Sequence, residues 1–153
     1  MSPSRPVPPR LPPSTPLRPA TYAGLAAAFV SIVAAVVIRV SPSLEAPVAG
    51  VHLLLTFSLY VMSGALAMRL GADGWRAGVF AGLLDALIGH AIAFLIAAPP
   101  DPSRVSLPRG VEATPQVLGS IQLWGALLGA AMTIAIGAIA GAIGGWYAKR
   151  TLR

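Results

Sequence analysis

The chain alternates long apolar runs with short breaks that are polar or rich in proline. Four of the runs reach about 20 residues with few charges, the length an α-helix needs to cross the hydrocarbon core of a bilayer. The fifteen prolines all fall outside these runs, so we expect uninterrupted helices. The pattern predicts an all-α, polytopic membrane protein whose bundle of four transmembrane helices covers residues of about 20–40, 48–70, 75–98 and 121–147.

The two parts of the chain predicted from this pattern differ sharply in composition. Residues 1–19 contain eight prolines and three arginines, which predicts a disordered, basic, cytoplasmic tail. Residues 10–16 match a pattern that SH3-type grooves bind, although a low-complexity tail lying near anionic lipid is the favoured interpretation. Residues 20–153 are predicted to form one transmembrane domain, with the lipid bilayer as its main partner.

Composition and charge support a membrane protein and fix its predicted orientation. Hydrophobic residues make up 56% of the chain and charged residues 10%, far from the usual balance of a soluble domain. The net charge of +6 does not indicate nucleic-acid binding, because most basic residues fall on one side of the predicted topology. With both termini in the cytoplasm, that side holds Arg5, Arg10, Arg18, Arg69, Arg76, Lys149, Arg150 and Arg153, and also Tyr22, Trp75, Trp146 and Tyr147 as an interfacial aromatic belt.

The residue types present exclude several kinds of chemistry. The absence of cysteine rules out disulfides, thiolate catalysis and cysteine-ligated metal centres. No nucleophile elbow, phosphate-binding loop or HExxH motif occurs, so we predict no enzymatic activity and no cofactor. Ten arginines to one lysine, with abundant alanine and glycine, is typical of a GC-rich bacterial gene.

A stripe of polar residues runs along the second apolar segment. His52, Thr56, Tyr60 and Ser63 are spaced so that they fall within an arc of roughly 80° on a helix. Polar side chains in a membrane-spanning helix are expensive when they face lipid. We therefore expect this stripe to face the interior of the bundle or a wet cavity.

The third segment carries an acid, Asp85, about 20 Å below its predicted outer end. The same depth is reached by residues 60–63 of the second segment and by Thr133 of the fourth. No lysine or arginine is expected at that depth, so hydroxyls, water or protonation must stabilise the carboxyl group. Asp85 is therefore predicted either to bind protons or to fix the register of the helices through a hydrogen bond.

His90 follows Asp85 in the same segment but is predicted to point elsewhere. On an α-helix the two side chains diverge by about 140°, so they need not touch. His90 lies roughly 12 Å below the outer end, level with Thr56 and Ser31. His52 is shallower still and is interpreted as a residue of the membrane boundary.

Glycines form the predicted surfaces for close helix packing. Three share the face of Asp85, and two groups in the fourth segment have GxxxG-type spacing, which lets helix backbones approach closely. Packing within one chain is favoured over a homo-oligomer. The glycines concerned are Gly78, Gly82 and Gly89 in the third segment, and Gly125, Gly129, Gly137, Gly141 and Gly145 in the fourth.

These patterns leave three hypotheses for function. The leading one is a non-catalytic accessory or scaffold subunit that packs through its glycine-rich faces, either with copies of itself or in a larger membrane complex. The alternative is a small proton-linked transporter or channel that uses Asp85. A haem or metal carrier using His52 and His90 is the weakest, since their spacing is not a ligand motif. The loop over residues 99–116 carries no motif.

Overall fold

A computed structural model describes residues 17–98, 100–107 and 109–151, with the side chain of Arg104 left out. The predicted tail over residues 1–16, including the SH3-type pattern at 10–16, lies outside these residues. The described chain is helical and contains no strand. Its four long helices are α1 (Arg18–Val40), α2 (Glu45–Arg69), α3 (Gly74–Ile96) and α4 (Pro115–Thr151), with short 3-10 turns at Pro42–Leu44 and Pro102–Arg104.

Each of the four helices is long and apolar enough to cross a membrane. The α2 and α3 helices are antiparallel, and they lie between α1 and α4, which barely touch each other. One end of the bundle holds the Gly71 turn and the C-terminal end of α4, and we call it the turn end. The opposite end, which holds residues 97–114, is the loop end.

The turn between α2 and α3 has a glycine where the backbone requires one. Gly71 has a φ of 80°, a left-handed conformation that glycine adopts without steric cost. Its N–H bonds to the Met68 carbonyl at 3.1 Å, and the Ala72 N–H bonds to the Ala67 carbonyl at 2.9 Å. This pair of bonds is a Schellman motif, which ends α2 and reverses the chain within a few residues.

The interior of the bundle is built from small residues. Most of the buried apolar side chains are alanines, and the largest fully buried side chains are those of Tyr60, Asp85 and Ser63. The large aliphatic and aromatic residues point outward, as Leu54 (69% exposed) and Leu95 (80% exposed) illustrate. A water-soluble protein buries such residues, so this distribution is the reverse of a soluble core.

All four helices begin earlier than the hydrophobic pattern predicts, and α2 and α4 do so by three residues or more. The α2 helix begins at Glu45 instead of 48, because Pro47 falls in its first turn, where a backbone N–H needs no partner. The α4 helix begins at Pro115 instead of 121. Thr114 caps it, accepting at its Oγ1 from the Val117 N–H at 3.4 Å, and a proline fits the first helical position.

The α3 helix is continuous, but it is not α-helical along its whole length. Residues Asp85–His90 form a π-helical turn between two α-helical segments. A π turn links residues five apart instead of four, and single turns of this kind are often found at functional sites. The sequence offers no proline or glycine pair that would mark this position as different from an α-helix.

Candidate functional site

Asp85 is the centre of a buried polar cluster that joins three helices. Its side chain is fully buried. Oδ1 accepts a hydrogen bond from Ser31 Oγ of α1 at 2.8 Å, and Oδ2 accepts one from the Tyr60 hydroxyl of α2 at 2.6 Å. Among the described side chains, no lysine or arginine lies within ion-pair distance of this carboxyl group. The acid is therefore held by neutral donors.

His52 is connected to this cluster through Ser31. The ring atom Nε2 of His52 lies 2.8 Å from Ser31 Oγ, the same oxygen that bonds to Asp85. His52 is partly exposed, whereas Ser31 is buried. The position of His52 in the sequence suggests a residue of the membrane boundary. In the structure it also belongs to the hydrogen-bonded cluster around Asp85. We call the connected set His52, Ser31, Asp85 and Tyr60 the Asp85 network.

His90 lies closer to Asp85 than the α-helical geometry predicts. Its Nδ1 is 3.9 Å from Asp85 Oδ1, because the π-helical turn brings residues five apart onto the same side of the helix. Its Nε2 is 3.1 Å from the hydroxyl of Thr133 in α4. Within the described residues Nδ1 is buried and has no hydrogen-bond partner. His90 therefore approaches the Asp85 network without being bonded to it.

The other two polar residues predicted on α2 do not reach Asp85 through hydrogen bonds. The Thr56 hydroxyl donates to the backbone carbonyls of His52 and Leu53, and the Ser63 hydroxyl donates to the Tyr60 carbonyl at 3.0 Å. Both side chains are buried. The predicted stripe does face the interior, but two of its hydroxyls are occupied by their own helix.

A cleft of about 780 Å³ opens at the loop end, with His90 in its wall. Most of its lining is apolar and comes from α1, α3, α4 and the connecting segments at the loop end, including Ile38 and Phe94. Arg39, Glu45 and Gln122 contribute polar groups. The cleft gives the side chain of His90, which is 22% exposed, a route toward the surface of the bundle.

Close contacts between glycines position α3 against its neighbours. A Cβ atom added to Gly82 would lie 2.9 Å from the Thr133 carbonyl oxygen, and one on Gly141 would lie 2.7 Å from Gly78 Cα. A Cβ on Gly89 would meet Asp85 Oδ1 and lie 2.8 Å from Ala28 Cα of α1. These glycines let α1 and α4 approach α3 from opposite sides, which brings Ser31 and Thr133 to the polar cluster.

The predicted packing glycines do not all have the same surroundings. Gly137 and Gly145 face Gly78 and Gly74 of α3, at the turn end. Gly129 makes only an ordinary contact, with a Cβ there lying 3.6 Å from His90 Cδ2. Gly125 does not pack on another helix among the described residues, because a Cβ there would meet nothing within 4 Å. The first GxxxG pair of α4 therefore does not bring two helix backbones into close contact, as the second run of glycines does.

The sequence argument misses the central role of Ser31. Its spacing with Gly24, Ala28 and Ala35 indicates a small-residue packing face, and Ser31 does lie on a buried face of α1. The depth argument places Ser31 level with His90, but it does not reveal that the Ser31 hydroxyl contacts both Asp85 and His52. Gly64 and Gly144, which contact α4 and α2 respectively, are also absent from the predicted set.

The two histidines of the haem or metal hypothesis contact hydroxyl groups of different helices. The structure shows no group of three or more histidine, cysteine, aspartate or glutamate side chains placed to hold a metal ion within the residues that it describes. Both Nε2 atoms already contact hydroxyls, those of Ser31 and Thr133. Ligation of a haem iron through both Nε2 atoms would break both hydrogen bonds.

Comparison with known proteins does not assign the chain to a family. No family model, curated protein or solved structure matches it. The functional argument therefore depends on the geometry of the Asp85 network, on the cleft beside His90 and on the distribution of apolar residues around the bundle.

Proposed function

We propose that the protein is an integral membrane protein with four spans and both termini in the cytoplasm. Its outward-facing leucine, isoleucine and valine side chains suit contact with lipid. At the turn end, Arg150 lies 3.9 Å from the centroid of the Trp146 ring and Arg76 lies 5.4 Å from that of Trp75. Paired basic and aromatic side chains are typical of the cytoplasmic membrane interface.

This orientation predicts which ends of the chain are accessible from outside the cell. Since the chain has no cysteine, a single introduced cysteine is a unique label. In intact cells, a membrane-impermeant maleimide is expected to label Glu112→Cys at the loop end. It is expected to label Lys149→Cys, at the turn end, only after lysis. The opposite pattern would reverse the proposed topology, and labelling of both in intact cells would contradict four spans.

We further propose that Asp85 binds and releases a proton, and that the protein couples this to the passage of a solute or ion. The observation that carries the proposal is the full burial of Asp85 with hydroxyl donors and no cationic partner among the described residues. Buried acids and histidines at membrane depth commonly form proton relays in pumps and transporters. We propose no enzymatic role.

The energies involved favour a proton site over a purely structural bond. An aspartate near the centre of a membrane helix costs about 2.5–3.5 kcal/mol on insertion scales. A hydrogen bond between membrane helices contributes about 0.6 kcal/mol on average, so two bonds do not offset that cost. A serine or asparagine could fix helix register more cheaply. Asp85 differs from those residues because its carboxyl group can change its protonation state.

Replacing Asp85 with asparagine tests this proposal. The amide preserves the shape, and its oxygen can accept the bond from Tyr60 while its NH2 group donates to Ser31 Oγ, but it cannot take up a proton. An acid titration of the purified protein in lipid nanodiscs is expected to show about one proton fewer per chain, a count that follows from the loss of one titratable group. Asp73→Asn is the matched control: it also removes one carboxyl group, an exposed one paired with Arg76 at the turn end, so its proton count should fall equally while its proton flux stays at the wild-type level.

Two results would contradict the proton-site proposal. One is an Asp85→Asn protein that binds as many protons as the wild type. The other is a variant whose only change is a lower melting temperature, which would give Asp85 a structural role. Proton flux into vesicles, followed with a pH-sensitive dye, is expected to be lost in the same variant.

A non-catalytic accessory or scaffold subunit is the second candidate function. The observation that favours it is the exposure of α4 near the loop end, where Trp124 and Leu128 are each 65% exposed and Gly125 contacts no other helix of the chain. Within the part of the chain that the structure describes, such a surface is uncovered, and it fits a second copy or another membrane helix. Purification in a mild detergent, with light scattering, tests this. A strictly monomeric protein with no co-purifying partner would count against it.

A further inference from the structure

The hydrogen bonds from His52 to Ser31 and from Ser31 to Asp85 both donate in the same direction. Ser31 has a single hydroxyl hydrogen, and it donates this hydrogen to Asp85 Oδ1 when the carboxyl group is ionised. Toward His52, Ser31 Oγ must then act as the acceptor. His52 therefore carries a hydrogen on Nε2, and the bonds run from His52 through Ser31 to Asp85.

We propose that protons reach Asp85 from the loop end through His52 and Ser31, with Ser31 as the relay. This inference rests on the proposed proton-binding function of Asp85. A proton from outside adds to Nδ1 of His52. The Nε2 hydrogen then moves to Ser31 Oγ as the Ser31 hydroxyl hydrogen moves to Asp85 Oδ1. The products are a neutral His52 with its hydrogen on Nδ1, an intact Ser31 hydroxyl and a protonated Asp85, so the charges and protons balance.

The geometry distinguishes this route from the one through His90. Both links of the His52 route are 2.8 Å long, the usual length of a strong hydrogen bond. The His90 Nδ1 lies 3.9 Å from Asp85 Oδ1, too far for a hydrogen bond. A proton on His90 therefore needs a movement of its ring or an intervening water, whereas a proton on His52 needs neither.

The remaining groups around Asp85 do not offer a third route. Tyr60 donates its only hydroxyl hydrogen to Oδ2, and α4 contributes the Thr133 hydroxyl, which contacts His90. The Thr56 hydroxyl is bonded to its own helix. Of the titratable groups on the described helices, His52 and His90 are thus the two that connect Asp85 toward the loop end.

Ser31→Ala is the decisive variant, because it removes the relay and leaves both ends of the route in place. After a rapid acid jump on the protein in nanodiscs, the rate of proton uptake is expected to fall at least tenfold. The number of protons bound per chain at equilibrium is expected to stay the same, since Asp85 remains. His52→Gln should slow uptake in the same way, whereas His90→Gln should keep the wild-type rate. Ser58→Ala is the control, because the Ser58 hydroxyl is exposed and bonds to its own helix.

Each alternative result would overturn part of the argument. A wild-type rate in Ser31→Ala would exclude the relay, and so would a loss of proton stoichiometry, which would make Ser31 a structural partner of the acid. Slow uptake in His90→Gln with normal uptake in His52→Gln would assign entry to the cleft instead. If Ser31→Ala does not fold, the two histidine variants decide between the routes. Asp85→Asn with wild-type proton binding would instead refute the proposed function itself.

Discussion

Replacing Gly78 with leucine is expected to prevent α3 and α4 from packing, and with that to remove the native bundle. A Cβ atom at Gly78 would clash with the Gly137 carbonyl oxygen and lie 2.9 Å from Gly141 Cα. These are backbone atoms of the facing helix, so no side-chain rotation can relieve the contact. Overpacking typically costs about 1–3 kcal/mol, and a clash of two backbones along their closest approach should exceed that range. The loss of free energy of unfolding can be measured by unfolding the protein in mixed micelles, followed by circular dichroism.

The matched control for this prediction is a glycine of α4, one of the same two helices. Gly125→Leu adds the same side chain to α4 where a Cβ would meet nothing within 4 Å. Its free energy of unfolding is expected to stay within about 0.5 kcal/mol of the wild type, as for other substitutions away from packed contacts. Equal losses in both variants would mean that leucine destabilises these helices for a reason unrelated to their packing.

Gly89→Ala is expected to damage the polar site and the packing together. The added methyl group would occupy the position of Asp85 Oδ1 and crowd Ala28 Cα, 2.8 Å away on α1. The carboxyl group would have to turn away from Ser31, which breaks the last link of the proposed route, the Ser31–Asp85 bond. We expect the rate of proton uptake to fall at least tenfold and the free energy of unfolding to fall by about 1–3 kcal/mol.

Gly129→Ala provides the comparison for Gly89, since it lies on the other side of His90. A Cβ there would be 3.6 Å from His90 Cδ2, an ordinary van der Waals contact. Both the proton-uptake rate and the stability of this variant are expected to stay near the wild type. If Gly89→Ala also kept the wild-type uptake rate, the Ser31–Asp85 bond would not be needed for uptake.

The sequence predicts the four helices well because their signal is long and simple. Runs of about 20 apolar residues identify each segment, and the break between the predicted segments 48–70 and 75–98 coincides with the turn between α2 and α3. The helix starts were harder to place. Thr114 and Pro115 are a cap and a first helical residue, yet both fall within a loop that contains several other prolines, so the hydrophobic pattern alone places the start of α4 at residue 121.

The polar site was only partly predictable, because its hydrogen bonds depend on how residues far apart in the sequence are brought together. The depth argument correctly placed Tyr60 beside Asp85. It could not find the π-helical turn at Asp85–His90, which the packing of α3 on its neighbours decides and which moves His90 toward the acid. Ser31 was assigned to a packing face, since a serine among alanines and glycines fits either role. Which role applies depends on what the adjacent helix places opposite it.

The unequal packing of α4 along its length also determines where the bundle can move. Apart from Leu118, its buried residues all lie between Gly137 and Ala148, where the glycines hold it against α2 and α3. If α4 tilts relative to the other helices, its packed part at the turn end should therefore stay in place while its part at the loop end moves. The helix is about 55 Å long at 1.5 Å per residue, so a tilt of roughly 10° displaces its far half by about 5 Å. That displacement is as wide as a small ion with part of its hydration shell, and it changes the width of the cleft beside His90.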